Sequence, residues 1–189
     1  MAESFKNVRT IALTAVLIAL AVVGNGLKIP LSMGLEIRFG FVFLSTIAFL
    51  FGPVVAFAAG FTSNLLAFLL FPSGFGYNVL FDLNIGLSGV LYAIFLYRKN
   101  CKSEYFVVWV AASKIAVNFV CNIVINSYLL RAYLGPSADI ITITRIFKNI
   151  TLLPGEIVVM LFVLKYVAEA AKKYNFVKSG GGKKEGSST

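Results

Sequence analysis

Residues 105–130, YFVVWVAASKIAVNFVCNIVINSYLL, combine a long apolar run with four regularly spaced polar side chains. The run is long enough to cross the roughly 30 Å hydrocarbon core of a bilayer as an α-helix. Its polar residues recur every four positions, so on a helix they form one slowly turning stripe, roughly 18 Å long. Polar groups in a membrane helix are costly unless they face protein or water. We therefore expect this helix to line a ligand cavity with Lys114, Asn118, Asn122 and Asn126.

The composition of the whole chain is that of a polytopic membrane protein. Of its 189 residues, 59% are hydrophobic and only 13% are charged, whereas soluble domains average about 45–50% apolar and about 25% charged residues. One membrane domain, residues 1–178, takes up nearly the whole length and leaves no room for a soluble catalytic domain. The remaining residues, 179–189, are rich in Gly, Lys and Ser and predict a disordered cytoplasmic tail.

Six apolar runs predict six transmembrane helices, and hence an all-α membrane protein. Gly52 and Pro53 separate the short second run from the third with almost no loop. This arrangement indicates two helices joined by a tight turn; the alternative is one long broken helix, which would give five crossings. The six runs are residues 10–29, 38–51, 53–71, 79–97, 105–130 and 146–168.

The distribution of basic residues favours six crossings with both termini in the cytoplasm. Basic residues cluster before the first run, between the fourth and fifth, and after the sixth. Six crossings place all three clusters on one side, which the positive-inside rule makes cytoplasmic, whereas five would split them across the membrane. Topology therefore accounts for the net charge of +9 better than nucleic-acid binding does. The clusters contain Lys6, Arg9, Arg98, Lys99, Lys102, Lys172, Lys173 and Lys178.

In this orientation, polar residues from several segments converge in the outer half of the bundle. Two Gly-containing outer connections, residues 24–37 and 72–78, add positions that permit hinge motion and aromatic rings that can cover a flat ligand. Positive charge exceeds negative charge near the outer mouth, which suits an anionic ligand. The candidate ligand-binding residues are Arg38, Tyr77, Asp82, Asn84, Asn118, Asn122, Asn126, Arg145, Lys148 and Asn149.

Each candidate also has a purely structural interpretation. An Asn in a membrane helix holds helices together about as often as it contacts a ligand. Arg38 can serve as an anchor that extends to the membrane interface. Lys114 and Glu156 both lie near mid-depth, and an ion pair between them is a better expectation than a substrate contact.

Motifs for catalysis and for metal binding are missing from the sequence. It has no P-loop, no H-E-x-x-H, no histidine and only two cysteines, so we expect neither a metal nor another cofactor. No inverted repeat is evident between the two halves, which weakens the case for a secondary transporter. We therefore predict a binding and translocation protein without enzymatic activity. The alternatives are a membrane-embedded enzyme that uses Asp82 or Glu156, and a stand-alone channel or carrier.

Three segments resemble the S components, or substrate-binding subunits, of energy-coupling factor (ECF) vitamin transporters. They are LEIRFGFVFLSTIAFLFGPVVAFAAG at 35–60, PSGFGYN…LSGVLYAIFLYRK at 72–99, and RIFKN…LPGE at 145–156. The third segment is most similar to the folate-specific branch. That branch commonly has an acidic residue in helix three, where this chain has Ser63 and Asn64.

The resemblance implies a six-helix S-component bundle in the bacterial plasma membrane that binds a vitamin from outside. It also implies three partner subunits, namely a transmembrane coupling subunit and two cytoplasmic ATPases. Small residues at helical spacing let another helix pack closely, and the resemblance assigns Ala12, Ala15 and Ala19 to contact with the coupling subunit. Folate is the first expectation for the ligand, and riboflavin or another vitamin of this transporter group is the alternative.

Overall fold

The structure, a computed structural model, describes residues 8–26, 29–32, 35–72, 76–99, 103–135 and 138–173. The predicted tail, residues 179–189, lies outside them. Only the backbone is described for residues 8–10, 29–32, 35–37, 133–134, 138–141, 145 and 171–173.

The described residues form six helices, which confirms the predicted fold class. The fifth helix is continuous but has three parts: α5, a π-helical segment with wider turns, and α6. The elements are α1 (Val8–Gly26), β1 (Ile29–Ser32), β2 (Leu35–Ile37), α2 (Gly40–Phe51), α3 (Pro53–Leu70), α4 (Val79–Leu96), α5 (Phe106–Val117), the π segment (Asn118–Ile125), α6 (Asn126–Leu134) and α7 (Ala138–Lys173).

Four helical stretches among the described residues are long and apolar enough to cross a membrane: Pro53–Leu70, Val79–Leu96, Phe106–Ala132 and Thr142–Ala170. The helices Ile11–Gly26 and Gly40–Phe51 are apolar but shorter. The 12 residues of α2 rise by roughly 18 Å, which is less than the roughly 30 Å hydrocarbon core. This helix therefore crosses only part of the core by itself.

The chain reverses direction between α2 and α3, as the tight-turn prediction requires. Gly52 has φ +86°, a conformation that glycine adopts without a Cβ penalty. At the other end of these helices, the Phe39 N–H donates to the Gly24 carbonyl at 3.0 Å, and the Phe71 ring lies against Gly26. The start of α2 and the end of α3 therefore meet the same end of α1. The alternative of one long broken helix is wrong.

The connection between α1 and α2, for which the sequence predicts only a Gly-containing outer segment over residues 24–37, contains two short strands. Helix α1 ends at Gly26, three residues before the predicted end of the first apolar run. The strands β1 and β2 then pair antiparallel, with Ile29 opposite Ile37 and Pro30 opposite Glu36. This pairing uses backbone polar groups of both strands, so a small strand pair stands beside the helices.

The tightest helix contact is between α3 and α4, where glycines allow the two backbones to approach. A Cβ on Gly60 would lie 2.8 Å from the Ile85 carbonyl oxygen, and one on Gly89 would lie 2.6 Å from the Ala56 carbonyl oxygen. Small residues at helix interfaces allow such close packing in membranes. The glycines therefore fix the relative position of two helices that line the site.

The apolar core and the cavity occupy opposite ends of the bundle. We call the end where α3 ends and α4 begins the outer end, and the opposite end the inner end. Fully buried large side chains concentrate where α4 ends and α5 begins, against the second half of α7. They include Tyr92, Leu96, Phe106, Val110, Met160 and Leu164. A firmly packed inner half thus supports an outer half that encloses a cavity.

Candidate ligand-binding site

A cavity of about 310 Å³ opens at the outer end and extends inward to Tyr92, Lys114 and Glu156. Its volume falls within the roughly 300–1,000 Å³ that is usual for small-molecule sites. Helices α2, α3, α4 and α7 and all three parts of the fifth helix contribute to the wall. The apolar part of the wall is aromatic to a large extent, through Phe41, Phe68, Phe71 and Phe81. Such a wall suits a flat ligand.

The structure brings most of the predicted binding residues to this one cavity. Asn118 is the exception, because it is buried but does not line the cavity. The side chain of Arg145 lies outside the described residues. The predicted residues on the cavity wall are Arg38, Tyr77, Asp82, Asn84, Asn122, Asn126, Lys148 and Asn149.

Asp82 organises the outer part of the cavity. Its carboxylate is 1% exposed and accepts two hydrogen bonds, from Asn64 Nδ2 at 2.6 Å and from the Tyr77 hydroxyl at 2.7 Å. The Tyr77 ring also packs on Phe68 at a centroid distance of 5.2 Å. Asp82 therefore holds the segment before α4 against α3 and α4.

The local sequence explains why Asp82 lies at the start of α4. Asn78 caps α4, since its side-chain oxygen accepts from the Leu80 N–H at 2.9 Å. Asp82 then falls in the first turn of the helix, where negative charge is favourable. The hydrogen bond to Asp82 is the main cause that raises the pKa of the Tyr77 phenol above its ordinary value of 10.0. Tyr77 therefore remains a hydrogen-bond donor at neutral pH.

The π segment alters the polar stripe that the sequence predicts. Lys114, Asn122 and Asn126 line the cavity, whereas Asn118 supports the stripe, because its Oδ1 accepts from Asn122 Nδ2 at 2.8 Å. A π-helix has wider turns than an α-helix. Each step of four residues therefore covers a smaller angle, and the stripe does not follow a uniform path. Segments of this kind are frequent at functional sites.

A buried ion pair closes the inner end of the cavity. Lys114 Nζ lies 3.1 Å from Glu156 Oε2, which confirms the predicted pairing. The same ammonium lies 3.6 Å from the centroid of the Phe41 ring. Opposite charges with good contacts can be held in a low-dielectric interior. The pair cancels its own charge, so this end of the cavity is polar but has no net charge from the two groups.

Sequence reasoning missed several residues of the cavity wall. Tyr92 falls within the fourth apolar run, residues 79–97, but its hydroxyl gives it a polar end. A signal for it exists, because Asn84, Ser88 and Tyr92 follow the same four-residue spacing that identified the stripe on the fifth helix. Asn25, Ser63 and Asn64 also line the cavity.

Among the described residues, no group of three or more His, Cys, Asp or Glu side chains could hold a metal ion.

The proposed coupling face lies on the opposite side of α1 from the core. Ala12, Ala15 and Ala19 are all exposed, whereas Ala21 and Val22 are buried against the bundle. The exposed face continues through larger apolar side chains, including Val16 and Val23. This part of the surface is open to another helix.

Comparisons with known proteins agree on one class of membrane protein. A family model described as "ECF-type riboflavin transporter, S component" matches residues 5–168. The folate transporter FolT of Clostridium novyi (strain NT) is 27% identical over 133 residues, which cover 70% of this chain and 74% of that protein. The crystal structure of FolT bound with folic acid superposes with a TM-score of 0.72 at 28% identity. That match covers 84% of this chain and 92% of the other.

Proposed function

The chain belongs to the family of S components of ECF-type riboflavin transporters, and from this premise we propose that it binds folate for import. The two FolT relatives support the choice of vitamin. In this role the protein captures folate in the outer cavity and performs no catalysis itself.

The observation that carries the proposal is the uneven distribution of charge along the cavity. Arg38 and Lys148 contribute two positive charges to the wall nearer the mouth, against the one carboxylate of Asp82, while the Lys114–Glu156 pair leaves the inner end without net charge. Folate has a matching form, with a flat uncharged pterin at one end and two carboxylates at the other. Arg and Lys suit carboxylates, through charge-assisted hydrogen bonds, and the aromatic wall suits the ring.

The predicted residues take roles according to their place on the wall. Arg38 and Lys148 bind the glutamate tail of folate. Arg145 is proposed for the same role from its position in the sequence alone. Tyr77 covers the ligand, with Asp82 holding it in place through the hydrogen bond of 2.7 Å. The amides that bind the ring and linker are Asn84, Asn122, Asn126 and Asn149, with Asn118 supporting Asn122.

Riboflavin is the second candidate, because the matching family model is described by that vitamin. Its isoalloxazine is also a flat ring with polar edges, and the aromatic wall can accept it. Riboflavin carries no carboxylate, however, and so offers no anionic group to Arg38 and Lys148. The charge of the outer cavity therefore favours folate.

Transport requires partners that supply energy. We place the protein in a bacterial plasma membrane with both termini in the cytoplasm, in complex with a transmembrane coupling subunit and two ATPases. Ala12, Ala15 and Ala19 supply the contact with the coupling subunit, since their exposed face allows a helix to approach closely.

Titration calorimetry on the purified protein tests the choice of ligand. We expect folate to bind most tightly, a pterin without the glutamate tail to bind more weakly, and riboflavin to bind weakly or not at all. Lys148→Ala should reduce the affinity for folate but leave that for the tail-less pterin almost unchanged. Tight binding of riboflavin without binding of folate would show that riboflavin, not folate, is the ligand.

A further inference from the structure

A second polar stripe faces the cavity from α4. Asn84, Ser88 and Tyr92 are spaced by four residues, extend over roughly 12 Å of helix, and all line the cavity. The Ser88 hydroxyl donates to the Ile85 carbonyl at 2.7 Å. The two ends of the stripe differ from Ser88, because each has a buried polar atom without a hydrogen-bond partner among the described residues, namely Asn84 Oδ1 and Tyr92 Oη.

The orientation of the Asn84 amide is determined by the π segment. Its Nδ2 donates to the Cys121 carbonyl at 3.1 Å, and the residue is only 4% exposed. The amide oxygen, Oδ1, is therefore the atom that can accept a hydrogen bond from a further group. Because an amide oxygen only accepts hydrogen bonds, the group that pairs with it must be an N–H or O–H donor.

Tyr92 lies deeper, at the inner end of the cavity, and is 1% exposed. Glu156 lines the same end of the cavity. The Glu156 carboxylate already pairs with Lys114, and Lys114 also packs on Phe41. Buried polar groups in folded proteins nearly always have a partner. A phenol hydroxyl can donate a hydrogen bond. The unpaired Tyr92 hydroxyl therefore indicates that a hydrogen-bond acceptor of the ligand lies at this depth.

We propose that Tyr92 is a specificity-determining residue whose hydroxyl donates to a carbonyl of the ligand's flat ring, while Asn84 Oδ1 accepts from an N–H group of the same ligand. The proposal rests on the proposed function and deepens it by assigning the ring to the inner end. The Lys114–Glu156 pair has no net charge to offer a carboxylate there. The ligand class is thus a heteroaromatic ring with carbonyl and N–H groups, followed by an anionic end nearer the mouth.

Tyr92→Phe is the direct test, because it removes one oxygen and preserves the ring. With folate, whose pterin has a carbonyl at position 4, the variant should bind roughly 5- to 150-fold more weakly. With aminopterin, which has an amino group in place of that carbonyl, the loss should be much smaller. Tyr166→Phe is the matched control, since Tyr166 is 71% exposed, and it should bind both ligands as the unaltered protein does.

The ligand-free protein gives a second measurement. Since the Tyr92 hydroxyl has no partner among the described residues, its removal should leave the Tm unchanged or raise it slightly. A marked fall in Tm would show that the hydroxyl bonds within the protein, and this would overturn the proposal. Unchanged discrimination between folate and aminopterin in Tyr92→Phe would also overturn it.

Measurements of riboflavin binding show whether a negative result rejects the role of Tyr92 or the choice of folate as the ligand. If the unaltered protein binds riboflavin and not folate, folate is the wrong vitamin, but the riboflavin ring also has carbonyls. Tyr92→Phe should then weaken riboflavin binding by a similar factor, and unchanged riboflavin affinity would reject the role of Tyr92. If neither vitamin binds, both proposals are wrong.

Discussion

At the scale of single residues, Asp82 and Asn122 show two different ways in which a polar side chain serves a cavity. Both carboxylate oxygens of Asp82 already accept hydrogen bonds, from Asn64 and Tyr77. The main role of Asp82 is therefore to hold Asn64 and Tyr77 in position beside the cavity. Asn122 donates to Asn118 and lines the cavity, so its own amide oxygen can accept from a ligand.

Asn122→Leu should weaken folate binding by about 1–3 kcal/mol, or about 5- to 150-fold in Kd. The physical reason is that a buried polar group of the ligand loses its hydrogen-bond partner. Calorimetry with folate measures the change. Val124→Leu is a suitable control, since Val124 is in the same π segment and is 51% exposed. Unchanged affinity in a folded Asn122→Leu protein would mean that Asn122 only holds helices together.

At the scale of the helices, a side-chain hydrogen bond links α3 to α4 at the outer end. Asn64 lies on α3, and Asp82 lies in the first turn of α4. The structure joins the two side chains by a hydrogen bond of 2.6 Å. The Asp82 carboxylate thus supplies a polar contact between the two helices.

The sequence predicts the helices well, and the details of their contacts less well. Apolar runs and the four-residue spacing of the polar stripe placed Lys114, Asn122 and Asn126 on the cavity wall, because helix geometry determines which residues share a face. The π segment could not be predicted, since over eight residues its hydrophobic pattern differs little from that of an α-helix. The bond between Asn64 and Asp82 depends on how α3 and α4 pack, which one sequence does not specify.

The glycine contact between α3 and α4 predicts a specific loss of stability. In Gly89→Ala, the new methyl group would lie 2.6 Å from the Ala56 carbonyl oxygen, so the two backbones must separate. We expect destabilisation of about 1–3 kcal/mol, seen as a lower Tm. Gly155→Ala is the matched control, because nothing lies within 4 Å of a Cβ there. Equal Tm values for the two variants would contradict the proposed close packing.

The exposed face of α1 predicts a defect in transport that spares binding. Ala15→Trp or Ala19→Trp should leave folate affinity intact, because both residues lie outside the cavity and are exposed. Uptake by the reconstituted complex should be abolished, since a bulky ring holds the coupling subunit away from α1. Phe162→Trp, at a position that is 75% exposed on α7, should transport normally. Loss of binding in the alanine variants would show that the wrong face was assigned.

At the scale of the whole molecule, opposite ends of the bundle have different tasks. The outer end opens into the cavity, and the inner end contains the packed apolar core. Basic and aromatic side chains meet beyond that core, where Lys99 Nζ lies 3.6 Å from the centroid of the Trp109 ring. Such residues are typical of a membrane interface, and positive charge favours the cytoplasmic side. The inner end is therefore expected to face the cytoplasm.

This orientation predicts which positions a membrane-impermeant thiol reagent can reach in whole cells. In a background in which Cys101 and Cys121 are replaced by Ser and Ala, a cysteine at Pro72 should react from outside. One at Ser103 should react only after the membrane is permeabilised. Both positions are exposed and lie at opposite ends of the bundle, so each serves as the control for the other. The reverse pattern would place the cavity mouth in the cytoplasm, where this protein could not capture a vitamin from outside.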